Sequence, residues 1–245
     1  EENGPPLKTA AAYIDFLAGV HLYAGIVTAL FNREAFGKGS VIDISMQDCA
    51  FPTLSTAIGS FYGLGRELPR AGSRHPAKAI SPYNVYQAKD GHVAIICVRE
   101  GHWRRICDAM KKPELKEDPR FSKARFRAKN IDLVDEIVTN WTMNLERKEI
   151  FRVAQEHGVI CAPVQTIPEA IDDEHMLERG SLEKKKIDET EEFSFFKTPI
   201  RFDDLKPPDL KLAGQLGEDT ETVLKEFLKL KESDLNLLRN EGVIL

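Results

Sequence analysis

The sequence predicts an α/β protein: apolar helices first, then a smaller unit that mixes helices with antiparallel strands, then two closing helices. Three stretches carry that reading. "AAYIDFLAGVHLYAGIVTAL", residues 11–30, is apolar or small almost all round, the pattern of a buried helix. "YNVYQAKDGHVAIICV" sets two β-prone runs about Lys89-Asp90-Gly91, and Asp-Gly is the strongest short hairpin signal. "DTETVLKEFLKLKESDLNLLRNEGVIL" repeats apolar residues at helical spacing twice.

In chain order, the loop "NGPP" leads to a helix from about Asp15 to Arg33, and "FGKGS" turns the chain. "VIDIS" alternates as a short strand. "MQDCAFPTLSTAIGSFY" reads as one helix from Met46 to Tyr62, kinked at Pro52. Residues 63–82 are rich in Gly, Pro and Arg without a hydrophobic period, so they form a long linker, and long structureless loops in compact proteins tend to carry function. A second unit, 83–180, holds the hairpin, helices near His102–Ala109, Ile131–Asn140 and Arg147–His157, a stop at Gly158, the strand "VICAPVQT" and a short helix in "IPEAIDDEHMLERG". Residues 181–213 form an extended β-and-linker region, with "KPPDLKLAGQLGED" crossing by polyproline geometry. In 217–245, Asp219 or Thr220 caps the first helix and Ser233 the second.

A net charge of −5 with scattered basic residues points away from nucleic acid. The apolar run includes Asp15, Gly19, His21 and Gly25, so it is read as a buried helix and not a membrane span. Cys49, Cys97, Cys107 and Cys161 lie far apart with no CxxC pair, as expected of buried thiols in a reducing, cytoplasmic setting. "EENGPPLKT" starts acidic without a basic region, so it is not read as a signal peptide; with no initiator Met, the chain is expected to belong to something longer.

Asp15 invites two readings. Asp is among the best helix N-caps. A carboxylate at a positive helix end among small and apolar neighbours is also suited to act as nucleophile or base. His21 lies about 600° of helical rotation from Asp15, so the two face different sides, and His21 reads as a satisfied core histidine. His75 sits beside Gly72, Ser73 and Arg74; glycine allows close approach to a ligand and Arg can hold a carboxylate, although a plain surface turn explains the segment equally. The other histidines have no acid or Cys at ligand spacing, so no metal is expected. Gly37-Lys38-Gly39 lacks the frame of a phosphate loop.

"GPP", "D-x-x-x-G-x-x-x-x-x-G-I-x-x-A-L" and "GKGSVIDISMQD" together resemble the class III CoA-transferases, the family of formyl-CoA transferase, carnitine and bile-acid CoA-transferases and α-methylacyl-CoA racemase. The likeness continues through "GSRHP", "PYNVYQAKDGHVAI", "W-x-x-I-C", "DPRF", Arg127–Asn130, "HGVICAPVQTIPEA" and "LGEDT". It implies that 1–62 is the C-terminal part of a Rossmann-like large domain bearing the catalytic Asp, that 63–82 carries an active-site loop, and that 83–180 is a smaller α+β domain. It further implies that 181–216 returns the chain and that the helices of 217–245 pack back on the large domain.

The resemblance makes Asp15 the nucleophile that exchanges CoA between an acyl-CoA and a carboxylic acid, with coenzyme A as substrate and no tightly bound cofactor. The dry pocket such an anhydride needs fits the apolar run behind Asp15. Gly72, Ser73, Arg74 and His75 match the family's loop over the site, here with fewer glycines than in formyl-CoA transferase, which points away from a formyl or oxalyl substrate. Met46 falls near the family's CoA contacts, and is equally expected as core packing. The family's N-terminal nucleotide-fold half precedes "GPP" and is absent, so the chain is expected to be a fragment or one half of a split enzyme that binds CoA poorly alone. An interlocked homodimer is implied. Two alternatives stand: a 2-methylacyl-CoA racemase using the same Asp as base, which the resemblance associates with an acid where Arg99 stands (Glu100 is one along), and a non-catalytic truncated paralogue, against which the intact Asp15 argues.

Overall fold

The structure is a computed structural model that describes residues 4–187, 189–205 and 211–245. It divides into two units, residues 1–164 and 165–245.

The first unit opens with α1 (Tyr13–Phe36), stopped by Gly37 in the left-handed conformation, whose N–H bonds back to the Arg33 carbonyl. None of its residues is buried. The expectation of a buried helix therefore fails within this chain, because no described segment covers its apolar circumference. By length and composition alone α1 is also a helix that could cross a membrane. The expected strand at 41–45 is absent: the segment is extended but has no ladder partner among the described residues. Its Ile42 lies against α1 so closely that a Cβ on Gly25 would stand 3.3 Å from the Ile42 methyl.

The single kinked helix expected over 46–62 is three pieces: α2 (Met46–Ala50), a 3₁₀ turn at Phe51–Leu54 and α3 (Ser55–Leu64). Pro52 causes the break, since it has no N–H to donate. Ser45 caps α2, accepting from the Asp48 N–H. Residues 67–82 then contain no helix or strand.

Next comes the core. Strands β1 (Tyr83–Ala88) and β2 (Gly91–Ile96) pair antiparallel with Ala88 opposite Gly91, so the hairpin forms as expected but its two-residue loop is Lys89-Asp90, and Gly91, at φ 149°, already stands in β2. β3 (Ile160–Pro163) adds to the other edge of β2. Alternate residues of the sheet (Tyr86, Ala88, Val93, Ile95, Cys97) face helices α4 (Glu100–Ala109), α6 (Ile131–Thr142) and α7 (Arg147–His157), which contribute Trp103, Ile106, Val134, Val138 and Ile150. The short α5 (Ala124–Lys129) precedes α6. Gly158 stops α7 with φ 64°. Trp103 is fully enclosed and donates its indole N–H to the Leu115 carbonyl. Trp103→Ala is expected to cost about 3–5 kcal/mol of stability, read as a lowered urea midpoint at unchanged slope.

Arg127 is the largest buried charge of this unit. Its guanidinium donates to Glu100 (2.8 Å), the Phe121 carbonyl (2.7 Å) and the Ser81 carbonyl (3.0 Å), and lies over the Trp103 ring. Burial alone would raise the Glu100 pKa; bonds from the Ala124 N–H and Arg127 outweigh it and hold that carboxyl below its ordinary value. A depressed folded-state pKa stabilises above the unfolded value and is lost as pH falls through the folded one. Glu100→Gln is thus expected to flatten the fall of stability below about pH 5, measured as urea midpoint against pH.

All four cysteines are free and buried; burial pushes the thiols of Cys97 and Cys161 up to about 11 and of Cys107 up to about 12, so these three stay protonated near neutral pH.

In the second unit, the short helix expected in 167–180 is two, α8 (Ile167–Ile171) and α9 (Glu174–Glu178). Asp173 interrupts the run and caps α9 through the Met176 N–H. A hairpin follows, β4 (Leu182–Lys186) with β5 (Glu192–Phe196). Of the expected polyproline crossing, residues 206–219, the first five lie outside the described residues; 211–215 have no helix or strand and 216–219 turn into the next helix. α10 (Thr220–Leu228) has Asp219 at its N-cap position, without a side-chain bond. α11 (Glu232–Asn240) is preceded by Lys231, not capped by Ser233: Asp234 accepts from the Lys231 N–H at 2.8 Å and satisfies the helix start. Ion pairs Arg239–Glu221 and Lys225–Glu232 link the two helices, and Leu235 is buried.

Candidate functional site

Asp15 stands in the first turn of α1, two residues inside its start at Tyr13. It is not the N-cap: Ala12 occupies that position and no side chain caps the helix. The helix begins earlier than the apolar pattern indicated, which moves Asp15 inward. Its carboxylate is exposed and, among the described residues, takes part in no hydrogen bond or ion pair. What remains is the helix-start field, in which free N–H groups favour an anion. An unpaired, accessible carboxylate in that field is chemically available to attack.

His21 does not join it. Its Nδ1 lies 2.8 Å from the Leu17 carbonyl on the same helix, and the residue is exposed, not in a core. Met46 begins α2 and is 56% exposed, so core packing within this chain does not account for it.

The 71–75 loop is held differently from what its sequence suggested. Gly72, with φ 63°, makes the turn, and the Arg74 N–H closes it on the Ala71 carbonyl. Gly72 and Ser73 are exposed. The Arg74 guanidinium, expected to be open to a ligand carboxylate, is engaged by two of the chain's own. Its Nε donates to Asp135 Oδ2 at 2.7 Å and its Nη2 pairs with Asp132 Oδ1 at 2.8 Å. Burial works against the Arg74 charge, but the bonds and attraction of Asp132 and Asp135 together raise its pKa. His75 packs its ring tilted against Tyr83, centroids 5.5 Å apart, and its Nδ1 is buried without a partner among the described residues.

Sequence reasoning missed Asp132, Asp135, Asn84 and Tyr86. Asn84 and Tyr86, two apart on β1, share the face toward the helices, and Tyr86 is buried there. Asp132 and Asp135, three apart in the first turns of α6, share a helix face. A polar Asn-x-Tyr on the inward face of a strand was the available signal, since buried polar groups need partners. No hydrogen bond or ion pair joins Asp15 to the 71–75 loop among the described residues.

A family model, CoA-transferase family III, matches residues 1–220. The chain belongs to that family. A formyl-CoA:oxalate CoA-transferase of Afipia carboxidovorans is 26% identical over 99% of the chain and 62% of its own length. The alpha subunit of a succinyl-CoA–L-malate CoA-transferase of Chloroflexus aurantiacus is 30% identical over 98% of the chain and 56% of its own. Among solved structures, a CAIB/BAIF family protein from Brucella suis superposes with a TM-score of 0.72 at 26% identity, covering 92% of the chain and 58% of that protein. The chain thus spans about three-fifths of the family III relatives it matches. Enzymes of different substrates resemble it about equally, so similarity does not select an acyl group.

Proposed function

We propose that the whole protein transfers CoA from an acyl-CoA thioester to a carboxylic acid, with Asp15 as nucleophile. One observation carries the reading beyond family membership: the carboxylate at the matching position is exposed, without a partner among the described residues and set in a helix start. The Asp15 carboxylate attacks the thioester carbonyl, forming a mixed anhydride and releasing CoA thiolate. The thiolate attacks the aspartyl carbonyl, leaving an aspartyl-CoA thioester and the free donor acid. The acceptor carboxylate then attacks that thioester, giving a new anhydride and thiolate. Thiolate attack on the acceptor's acyl carbon yields the new acyl-CoA and restores Asp15.

Gly72, Ser73 and His75 are assigned to the substrate side of this site and Met46 to the CoA side, with the Rossmann-like part of the large domain completing it. CoA enters and leaves as a substrate, not as a resident cofactor. The uncovered face of α1 is assigned to protein and not to lipid, since it carries Asp15, His21 and small residues (Gly19, Gly25) along its length, and the enzyme is placed in the cytoplasm.

The racemase alternative pairs Asp15 with a His outside this chain and is associated with an acid near Arg99; the nearest candidate, Glu100, is tied to Arg127 and the Ala124 N–H. That commitment favours transfer. Incubating the whole protein with one acyl-CoA and a panel of dicarboxylates, carnitine-like and aryl acids should produce a new acyl-CoA with at least one acceptor. Deuterium wash-in at C2 of a 2-methylacyl-CoA without any transfer would replace this reading by racemisation.

A further inference from the structure

The Asp135 carboxylate is 11% exposed, and both its oxygens are filled by three donors from two chain segments. Oδ1 accepts the Tyr86 hydroxyl at 2.6 Å; Oδ2 accepts Asn84 Nδ2 at 3.1 Å and Arg74 Nε at 2.7 Å. Tyr86 is buried, and burial followed by the nearby Asp135 charge raises its pKa, so it remains a donor. Two of these donors belong to the rigid hairpin strand β1. The third belongs to a loop with no regular structure, 61 residues away in sequence from Asp135. A loop of this kind has many accessible conformations, and a bidentate Arg between two carboxylates on one helix face selects one of them. Asp132, 88% exposed, adds the weaker, water-screened arm.

We propose that Arg74 is a positioning residue: gripping Asp135, it clips the 71–75 loop to α6 and so fixes where Ser73 and His75 stand during acyl transfer. The proposal rests on the assignment of that loop to the transfer site. It differs from a substrate-binding role for Arg74, because the guanidinium already has its carboxylates. His75, one residue on, is the side chain the clip would orient, with its ring on Tyr83 and a nitrogen left without a protein partner among the described residues.

The test uses the whole protein with Arg74→Met, Arg74→Lys, Asp135→Asn and the double variant Arg74→Met with Asp135→Asn. Two measurements are made: amide hydrogen exchange over residues 66–80, and steady-state kinetics with donor and acceptor varied separately. Clip loss from either end should speed exchange in that segment about tenfold or more. It should lower kcat about 10- to 100-fold, with both KM values within about threefold. The double variant should lose less than the sum of the two singles, because both singles remove the shared Arg74–Asp135 contact. Arg74→Lys, which keeps charge but not the fork, should fall between.

An acceptor KM raised alone by Arg74→Met, with Asp135→Asn harmless, would overturn the clip and make Arg74 a substrate contact. Loop exchange unchanged in both single variants would also overturn it, and so would a loosened loop with kcat intact. Should Asp135→Asn fail to fold, the Arg74 variants decide from the other end. A wild-type protein without exchange activity would sink the transferase reading and the catalytic half of this one together. Amide exchange would then decide the clip alone.

Discussion

Asp15→Asn in the whole protein should abolish acyl exchange, by at least about 10⁴-fold in kcat, the scale on which removal of a covalent nucleophile is felt. Asn is nearly isosteric, so the first turn of α1 keeps its shape. No partner is lost, because the carboxylate has none among the described residues. The only stabilising interaction removed is with the helix start, worth about 0.3–1 kcal/mol. Thermal unfolding should therefore shift by no more than a few degrees. A chemical trap separates nucleophile from base: after incubation with acyl-CoA alone, hydroxylamine or borohydride should modify the wild type at Asp15 and leave Asp15→Asn unlabelled. A base never becomes acylated and would give no label. Near-normal turnover in the variant, or a label on another carboxylate, would end the proposed mechanism.

What the sequence made legible was local. The hairpin about Lys89-Asp90-Gly91, the Gly158 stop and the span of Arg147–His157 follow from chemistry within a few residues, and the structure has all three, with the turn centred on Lys89-Asp90. The strand at 41–45 failed because alternation describes one strand, whereas a ladder needs a second, which no described segment supplies. The helix start slipped from Asp15 to Tyr13 because a good capping residue competes with an equally good first-turn acid, and the pattern around it is apolar either way. The Arg74–Asp135 contact was illegible for a different reason. Each partner by itself looks like an ordinary surface charge, and only the fold of the first unit brings them together. Asp15 stood out because an acid in an apolar run is anomalous wherever the helix begins.

The last expectation concerns what covers α1. Tyr13, Phe16, Tyr23, Phe31 and Phe36 all stand largely in solvent, as do Val223, Phe227, Leu237 and Val243 on or beside the terminal helices α10 and α11. Covering Phe16, Tyr23 and Phe31 alone would remove a few hundred Å² of apolar surface, on the order of 5–10 kcal/mol gross. Faces this apolar are interaction surfaces, and we propose as their cover a nucleotide-fold part of the whole protein together with a second, interlocked copy. The 245-residue chain prepared alone should accordingly self-associate at micromolar concentration and sediment as a broad distribution. The whole protein should sediment as a dimer that survives dilution, because threaded chains separate only by unfolding. Phe16→Glu with Phe31→Glu gives the converse test. The pair should make the isolated chain more soluble, since two charges break its apolar face, and should prevent dimer assembly of the whole protein. A sharp monomer boundary for the unmodified 245-residue chain, or a whole-protein dimer indifferent to both substitutions, would show that α1 needs no partner.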